Sequence, residues 1–203
     1  MFIVKKLARS YYVPAVLPIL TTLFVVCSLI LPSTSHAYVT YQRWPGNSSE
    51  WRNYISGAPF PANPTTLVDA AAQKWSKPAT GKNFNLYNYQ NVSGAVRVST
   101  NAANFAASGL PDIPARTFRL SNSAGQLSSS TVYVNNTWTW NTSCTHNMSQ
   151  KNVDFRVIIL HELGHSVGLD HDPNQTAAVM WPDFTCKLNL QTDDLNGIGA
   201  LYP

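Results

Sequence analysis

Charge is scarce in this 203-residue chain: 12% of the residues are charged, against 44% hydrophobic and 11% aromatic. That balance, together with 13 prolines, excludes a disordered polymer and a long coiled coil. Residues 1–37 contain no acidic side chain, yet hold Lys5, Lys6 and Arg9. Of the 14 basic residues, the 11 that follow this segment face 10 acidic ones, so the formal charge of +4 is concentrated at the amino terminus. A nucleic-acid binder keeps its basic excess in the folded part, so no nucleic-acid partner is expected. Cysteine is nearly missing, with three in all. No internal repeat and no domain-splitting linker is visible, and the length allows one domain or at most a small pair.

The amino terminus has the pattern of a secretory signal. An apolar stretch from about Val13 to Leu31 follows the positive residues, and Ser35-His36-Ala37 offers small residues at the two positions a signal peptidase inspects. The run approaches the ~20 residues that span a bilayer, so an uncleaved membrane anchor is the competing expectation. Pro14, Pro18, Thr21 and Thr22 interrupt it and favour cleavage. Val26, before Cys27, is bulkier than a lipid-attachment site tolerates. Residues 38–203 would then form one secreted, extracellular domain, monomeric and in contact with the membrane only transiently during export. Such a domain is large enough to bury roughly 70% of its unfolded surface. In an oxidising compartment the remaining pair, Cys144 and Cys186, favours a disulfide. It would close a loop of about 42 residues, worth about 4 kcal/mol in the chain-entropy model. Asn-x-Ser/Thr triplets begin at Asn47, Asn91, Asn135, Asn141, Asn147 and Asn174, and are glycan acceptors only in a eukaryotic secretory pathway.

Hydrophobic periodicity predicts a helix over Thr65–Ser76, capped by Thr65 and stopped at Lys77-Pro78. Short strands are expected at Phe84–Tyr89, Ala95–Ser99, Ala115–Leu120 and Thr131–Val134, with Ser121–Ser130 as a connecting loop. Val153, Val157, Leu160, Gly164 and Val167 recur at helical steps, with Asn152 as cap and Asp154 in the first turn. A last helix follows Thr192 as cap. Elements in this order imply an α+β fold: a sheet, a central helix and a terminal helix.

The chemistry is concentrated in His161-Glu162-Leu163-Gly164-His165-Ser166-Val167-Gly168-Leu169-Asp170-His171. His161 and His165 stand one helical turn apart on one face, where two imidazoles bind one metal. Glu162 points about 100° round the helix, beside the metal. Gly168 suits the turn that leaves the helix, and His171 then returns as a third ligand. Three neutral imidazoles with an open fourth position describe a single catalytic Zn2+. Glu162 would serve as general base in hydrolysing a peptide bond of a protein or peptide substrate. Asp172, beside the third ligand, is expected to make structural hydrogen bonds.

This stretch resembles the metzincin zinc peptidases, and among them the matrixin (matrix metalloproteinase-like) catalytic domain. Ala178-Val179-Met180-Trp181-Pro182 is similar to the family's Met-turn, and Thr192–Tyr202 to its C-terminal helix. The resemblance implies a twisted mixed sheet, a long active-site helix, a Met-turn with Met180 beneath the ligands, and a lone catalytic domain at 38–203. It further implies that an edge strand, here Ala115–Leu120, pairs with substrate. The pocket beyond the scissile bond would be walled by Pro182, Asp183 and Phe184 and floored by Val157, favouring an aliphatic or aromatic residue.

Several family features have no counterpart. No Pro-Arg-Cys-Gly-type cysteine switch, acidic calcium cluster or fifth tyrosyl ligand is present, and the length leaves no room for a hemopexin-like domain. Calcium binding is therefore left open. His146 is the one other histidine after residue 37, too few for a second zinc site, and it is expected in a loop. Two further classes stay open: an exported adhesion or binding module holding metal without turnover, and a zinc amidase acting on cell-wall peptides. Glu162 argues against the first, since a structural site needs no base.

Overall fold

The computed structural model describes residues 38–88, 96–100 and 112–203. The expected signal at 1–37 lies outside the described residues, as do Tyr89, Asn91 and Ala95. Among the described residues, no helix is long and apolar enough to cross a membrane.

β1 (Val39–Thr40) and β2 (Ser48–Asn53) lead into α1 (Pro64–Trp75) and one further helical turn at Lys77–Thr80. β3 (Asn85–Asn88), β4 (Val96–Thr100), β5 (Ala115–Ser121) and β6 (Leu127–Val134) follow. β7 (Thr139–Asn141) and β8 (Asn152–Asp154) precede α2 (Phe155–Ser166), and β9 (Leu169–Asp170) and α3 (Thr192–Leu201) come last. Five strands make a mixed sheet in the order β3-β2-β4-β6-β5. All neighbours are parallel except β5, which runs antiparallel to β6 and forms one edge.

The α+β expectation therefore holds, and the core explains it. Trp51, Val96, Val98, Val132 and Val134 of the sheet join Val68, Ala72 and Trp75 of α1 and Phe155, Ile158 and Ile159 of α2 in one cluster. Every residue of α2 except Arg156 is buried, the mark of a helix packed on all sides rather than an amphipathic surface helix. At about 1.5–3 kcal/mol for each large apolar side chain removed from water, this packing holds α2 rigidly in place.

Several expected boundaries shift, each for a local reason. Asn152 does not cap α2; Asn152–Asp154 pairs parallel with β7, and the cap is Asp154. Its carboxylate accepts from Arg156 N (2.8 Å) and Cys144 N (2.7 Å) and from the Arg156 guanidinium (2.6 Å). At α1 the capping position belongs to Asn63 rather than Thr65, with Pro64 in the first turn, where a missing N–H leaves nothing unpaired. Thr192 opens α3 from inside; Gln191 precedes it and donates its N–H to Asp194 Oδ2 at 2.8 Å. The loop expected at Ser121–Ser130 contracts to a turn over 122–126, in which Asn122 N donates to Gln126 O (2.8 Å). Leu127 and Ser130 are buried in β6, and the Ser130 hydroxyl donates to Ser166 Oγ at 2.9 Å, tying the sheet to the end of α2.

Burial alone would raise the Asp154 carboxyl, but hydrogen bonds and charge from Arg156 and the two amides outweigh it and hold the pKa below its usual value. A depressed folded value stabilises the fold above the unfolded carboxylate range, and that contribution is lost as pH falls through the folded value. Asp154→Asn should cost about 3 kcal/mol at neutral pH, measured by denaturant unfolding. Its stability should also fall less steeply than wild type's in acid below about pH 4. An equal acid slope in the two proteins would contradict this assignment.

Candidate metal centre

α2 places His161 and His165 one turn apart, both buried, and two backbone carbonyls orient them. His161 Nδ1 lies 2.7 Å from Val179 O, and His165 Nδ1 lies 3.0 Å from Leu169 O. A carbonyl only accepts, so in each ring Nδ1 carries the proton and Nε2 keeps its lone pair. The three Nε2 atoms converge: His171 Nε2 is 2.9 Å from that of His161 and 3.1 Å from that of His165. A tetrahedral ion with N–metal bonds near 2.05 Å needs ligand atoms roughly 3.3 Å apart, so the three rings fit one ion after a small expansion. Burial pushes the pKa values of His161 and His171 down and that of His165 to about 3, which keeps the rings neutral and ready to bind metal. Among the described residues, these histidines are the only group of three or more His, Cys, Asp or Glu whose ligand atoms lie within 4.8 Å of one another.

The return of His171 depends on how α2 ends. Gly168 has φ 110°, and a Cβ there would lie 1.9 Å from Gln42 O. No other residue type fits so close a backbone approach at positive φ. The carbonyls of Ser166, Val167 and Gly168, where the chain leaves α2, each find a donor. Trp44 Nε1 donates to Ser166 O (2.9 Å), the Tyr202 hydroxyl to Val167 O (2.8 Å), and Tyr41 N to Gly168 O (2.8 Å). β9 then pairs antiparallel with β1 and delivers His171. Asp172 is buried; its N–H donates to Met180 O (3.1 Å) and its Oδ1 accepts from Asn174 N (2.8 Å). It joins the third-ligand turn to the segment bearing Met180 and stands outside the three-histidine group. Met180 packs on Gly164, where a Cβ would come within 2.2 Å of its sulfur and 2.8 Å of the Trp75 ring. Asp194 accepts from Val179 N (3.0 Å) and Met180 N (3.1 Å), fixing that turn to α3.

Glu162 borders the same cleft, whose volume is about 550 Å³ and which is also lined by Ala115, Arg116 and Arg119 of β5 and by Pro182 and Phe184. The Thr117 hydroxyl donates to Glu162 Oε2 at 2.5 Å; among the described residues, Oε1 receives no hydrogen bond. Burial raises the Glu162 carboxyl to about 7, against the opposing pull of Thr117, Arg116 and Arg119. A dication on the histidines would lower it. Val157 is buried and lines a smaller adjoining pocket together with His161 and Phe184. Cys144 and Cys186 are disulfide-bonded, with Cα atoms 5.2 Å apart. The bond anchors the segment after Pro182 to the loop whose Cys144 amide meets Asp154. His146 lies in that loop, half-buried and apart from the three-histidine group.

Sequence reasoning missed Thr117, Arg119 and Trp75. Strand alternation places Ala115, Thr117 and Arg119 on one side of β5, but nothing in the sequence says that this side meets Glu162, 45 residues away. Arg119 donates to Leu169 O (3.0 Å), the carbonyl that also orients His165, and pairs with Asp170 at 3.6 Å. Trp75 donates from Nε1 to Leu160 O at 2.9 Å, inside α2.

A family model described as Matrixin matches residues 62–203. Among curated relatives, the chain is 38% identical over 58 residues to macrophage metalloelastase of Oryctolagus cuniculus, covering 27% of this chain and 12% of that protein. It is 41% identical over 54 residues to interstitial collagenase of Equus caballus (26% and 11%). It is 37% identical over 70 residues to neutrophil collagenase of Homo sapiens (32% and 13%). The matched stretch thus spans about one eighth or less of the length of these relatives.

Gly168→Ala should destabilise the chain by about 1–3 kcal/mol or more, through strain and the clash with Gln42, and should weaken zinc binding by displacing His171. Gly125→Ala is the control, since it has a similarly positive φ of 73° but nothing near its would-be Cβ. It should leave zinc affinity unchanged. Denaturant unfolding and competitive chelator titration measure both quantities.

Proposed function

Because the chain belongs to the matrixin family, we propose that it is a secreted zinc-dependent endopeptidase that cleaves protein or peptide substrates. The convergence of three neutral imidazoles beside the buried carboxylate of Glu162 carries this reading. Zinc held by His161, His165 and His171 supplies Lewis-acid chemistry, lowering the pKa of a water towards ~7 and polarising the carbonyl to be attacked.

Glu162 is the general base. Thr117 fixes Oε2 at 2.5 Å, leaving Oε1 to accept the proton of the attacking water and pass it to the departing amine nitrogen. Met180, packed against Gly164 between the two helical ligands, supports them from below. The edge of β5, open among the described residues, aligns the substrate as an added antiparallel strand. The side chain after the scissile bond enters between Pro182, Phe184 and Val157, apolar walls that favour an aliphatic or aromatic body. The Cys144–Cys186 bond supports an oxidising, extracellular setting.

The purified protein should contain one zinc per chain by metal analysis and should cleave casein rather than peptidoglycan; a chelator should abolish cleavage. Glu162→Gln should lower kcat by roughly 10²–10⁴-fold while keeping the zinc. Retained cleavage in that variant, or two zinc ions per chain, would overturn the reading. A peptide library should show aliphatic or aromatic residues after the cleaved bond, and a preference for charged residues there would reject the pocket assignment.

A further inference from the structure

Two residues, Leu169 and Asp170, separate the turn at Gly168 from the third histidine. The strand they form, β9, meets β1 in two register pairs, Val39 with Asp170 and Thr40 with Leu169. Arg119 reaches both residues from the sheet edge. Its Nη1 donates to Leu169 O at 3.0 Å, and its Nη2 lies 3.6 Å from Asp170 Oδ2. The other oxygen of that carboxylate, Oδ1, accepts from His171 N at 3.0 Å. One guanidinium is thus a single contact removed from two of the three histidines: Leu169 O also meets His165 Nδ1 (3.0 Å), and Asp170 meets the His171 backbone. The Tyr41 ring backs the guanidinium, with its centroid 4.1 Å from Cζ. The Arg119 side chain is only 15% exposed, so it is held rather than free to sweep through solvent.

An ion pair to a carboxylate that is 40% exposed adds little stability. The charge alone works against the site, because a cation beside a dication raises the energy of the bound state. What the guanidinium supplies is position, since a planar fork of fixed geometry spans two acceptors where a flexible ammonium does not. We propose that Arg119 is a positioning residue for the metal centre: it clamps β9 to β5, and through β9 it fixes the His165 ring and the His171 backbone so that both face one ion. The proposal deepens the zinc-peptidase reading above and rests on it for the identity of the ion. It gives one side of β5 two tasks, since Thr117 on that side holds Glu162.

The test is competitive chelator titration of zinc with wild type, Arg119→Met and Arg119→Lys. Each protein is titrated where circular dichroism shows it fully folded, so a loss of stability alone leaves the affinity unmoved. Arg119→Met keeps the stem and loses both donors and the charge. It should weaken zinc binding about tenfold or more, the scale expected when a group that orients a metal ligand is removed. Arg119→Lys keeps the charge without the fork and should fall between the two. Equal or tighter binding by Arg119→Met overturns the proposal, tighter binding being what relief of repulsion alone would give. Wild-type affinity in Arg119→Lys also overturns it, because the charge and not the fork would then suffice. Should Arg119→Met fail to fold, Arg119→Lys decides alone by the same criterion. A wild type that binds no zinc brings down the peptidase reading as well, whereas tight binding by all three proteins removes only the role of Arg119.

Discussion

His171 Nε2 lies about 3 Å from the Nε2 atoms of the buried His161 and His165, a spacing that the site tolerates only when the rings are uncharged and their lone pairs converge. Protonating two of them would place like charges in contact in a medium that screens poorly. Burial favours the neutral form of the rings and the carbonyls of Val179 and Leu169 orient His161 and His165, so much of the fold can be understood as a means of delivering two carbonyls and a glycine turn to the right places. The result is a set of lone pairs that already point inward, with little reorganisation left for a metal to impose.

α2 is held accordingly at both ends. At its start, the Asp154 carboxylate gathers the Arg156 guanidinium and two amides. At its finish, Trp44, Tyr202 and Tyr41 take up carbonyls that would otherwise be stranded. Tyr202 comes from beyond α3 and Asp194 from within it, so the carboxy-terminal helix fixes both the end of the ligand helix and the Met180 turn. Arg119 adds a link from the sheet edge to the same Leu169 carbonyl that orients His165.

The ligands were legible in the sequence because helical periodicity converts spacing into direction: residues four apart share a face, and a glycine three beyond the second histidine marks where the backbone departs. The helices and the strands β3 to β6 were legible for the same reason, since alternation and 3.6-residue periods are local properties, whereas β2, inside the main sheet, and the short strands β1, β7, β8 and β9 were not anticipated. What escaped was set by tertiary contact. Asn152 and Asp154 are both good capping residues, and only the pairing of β8 with β7 decides between them. The serines of 127–130 suggest a loop until Leu127 and Ser130 find their places against the core. Thr117 and Trp75 carry no signal of their own; each matters through a neighbour far away in the chain. The disulfide was within reach because only two cysteines follow the first 37 residues and their pairing needs no geometry to guess.

Among the described residues, β5 leaves one side of its backbone unpaired, and an unpaired strand is a template for any extended chain, including another copy of itself. The side chains along it bear on that hazard. Arg116 and Arg119 are separated by Thr117 and the exposed Phe118; Arg119 is answered by Asp170, but two such strands laid edge to edge would still bring guanidinium groups together with no acid on either strand. The same arrangement places no like charge against a neutral or acidic visitor. That arrangement makes this edge a poor seed for fibres of its own kind.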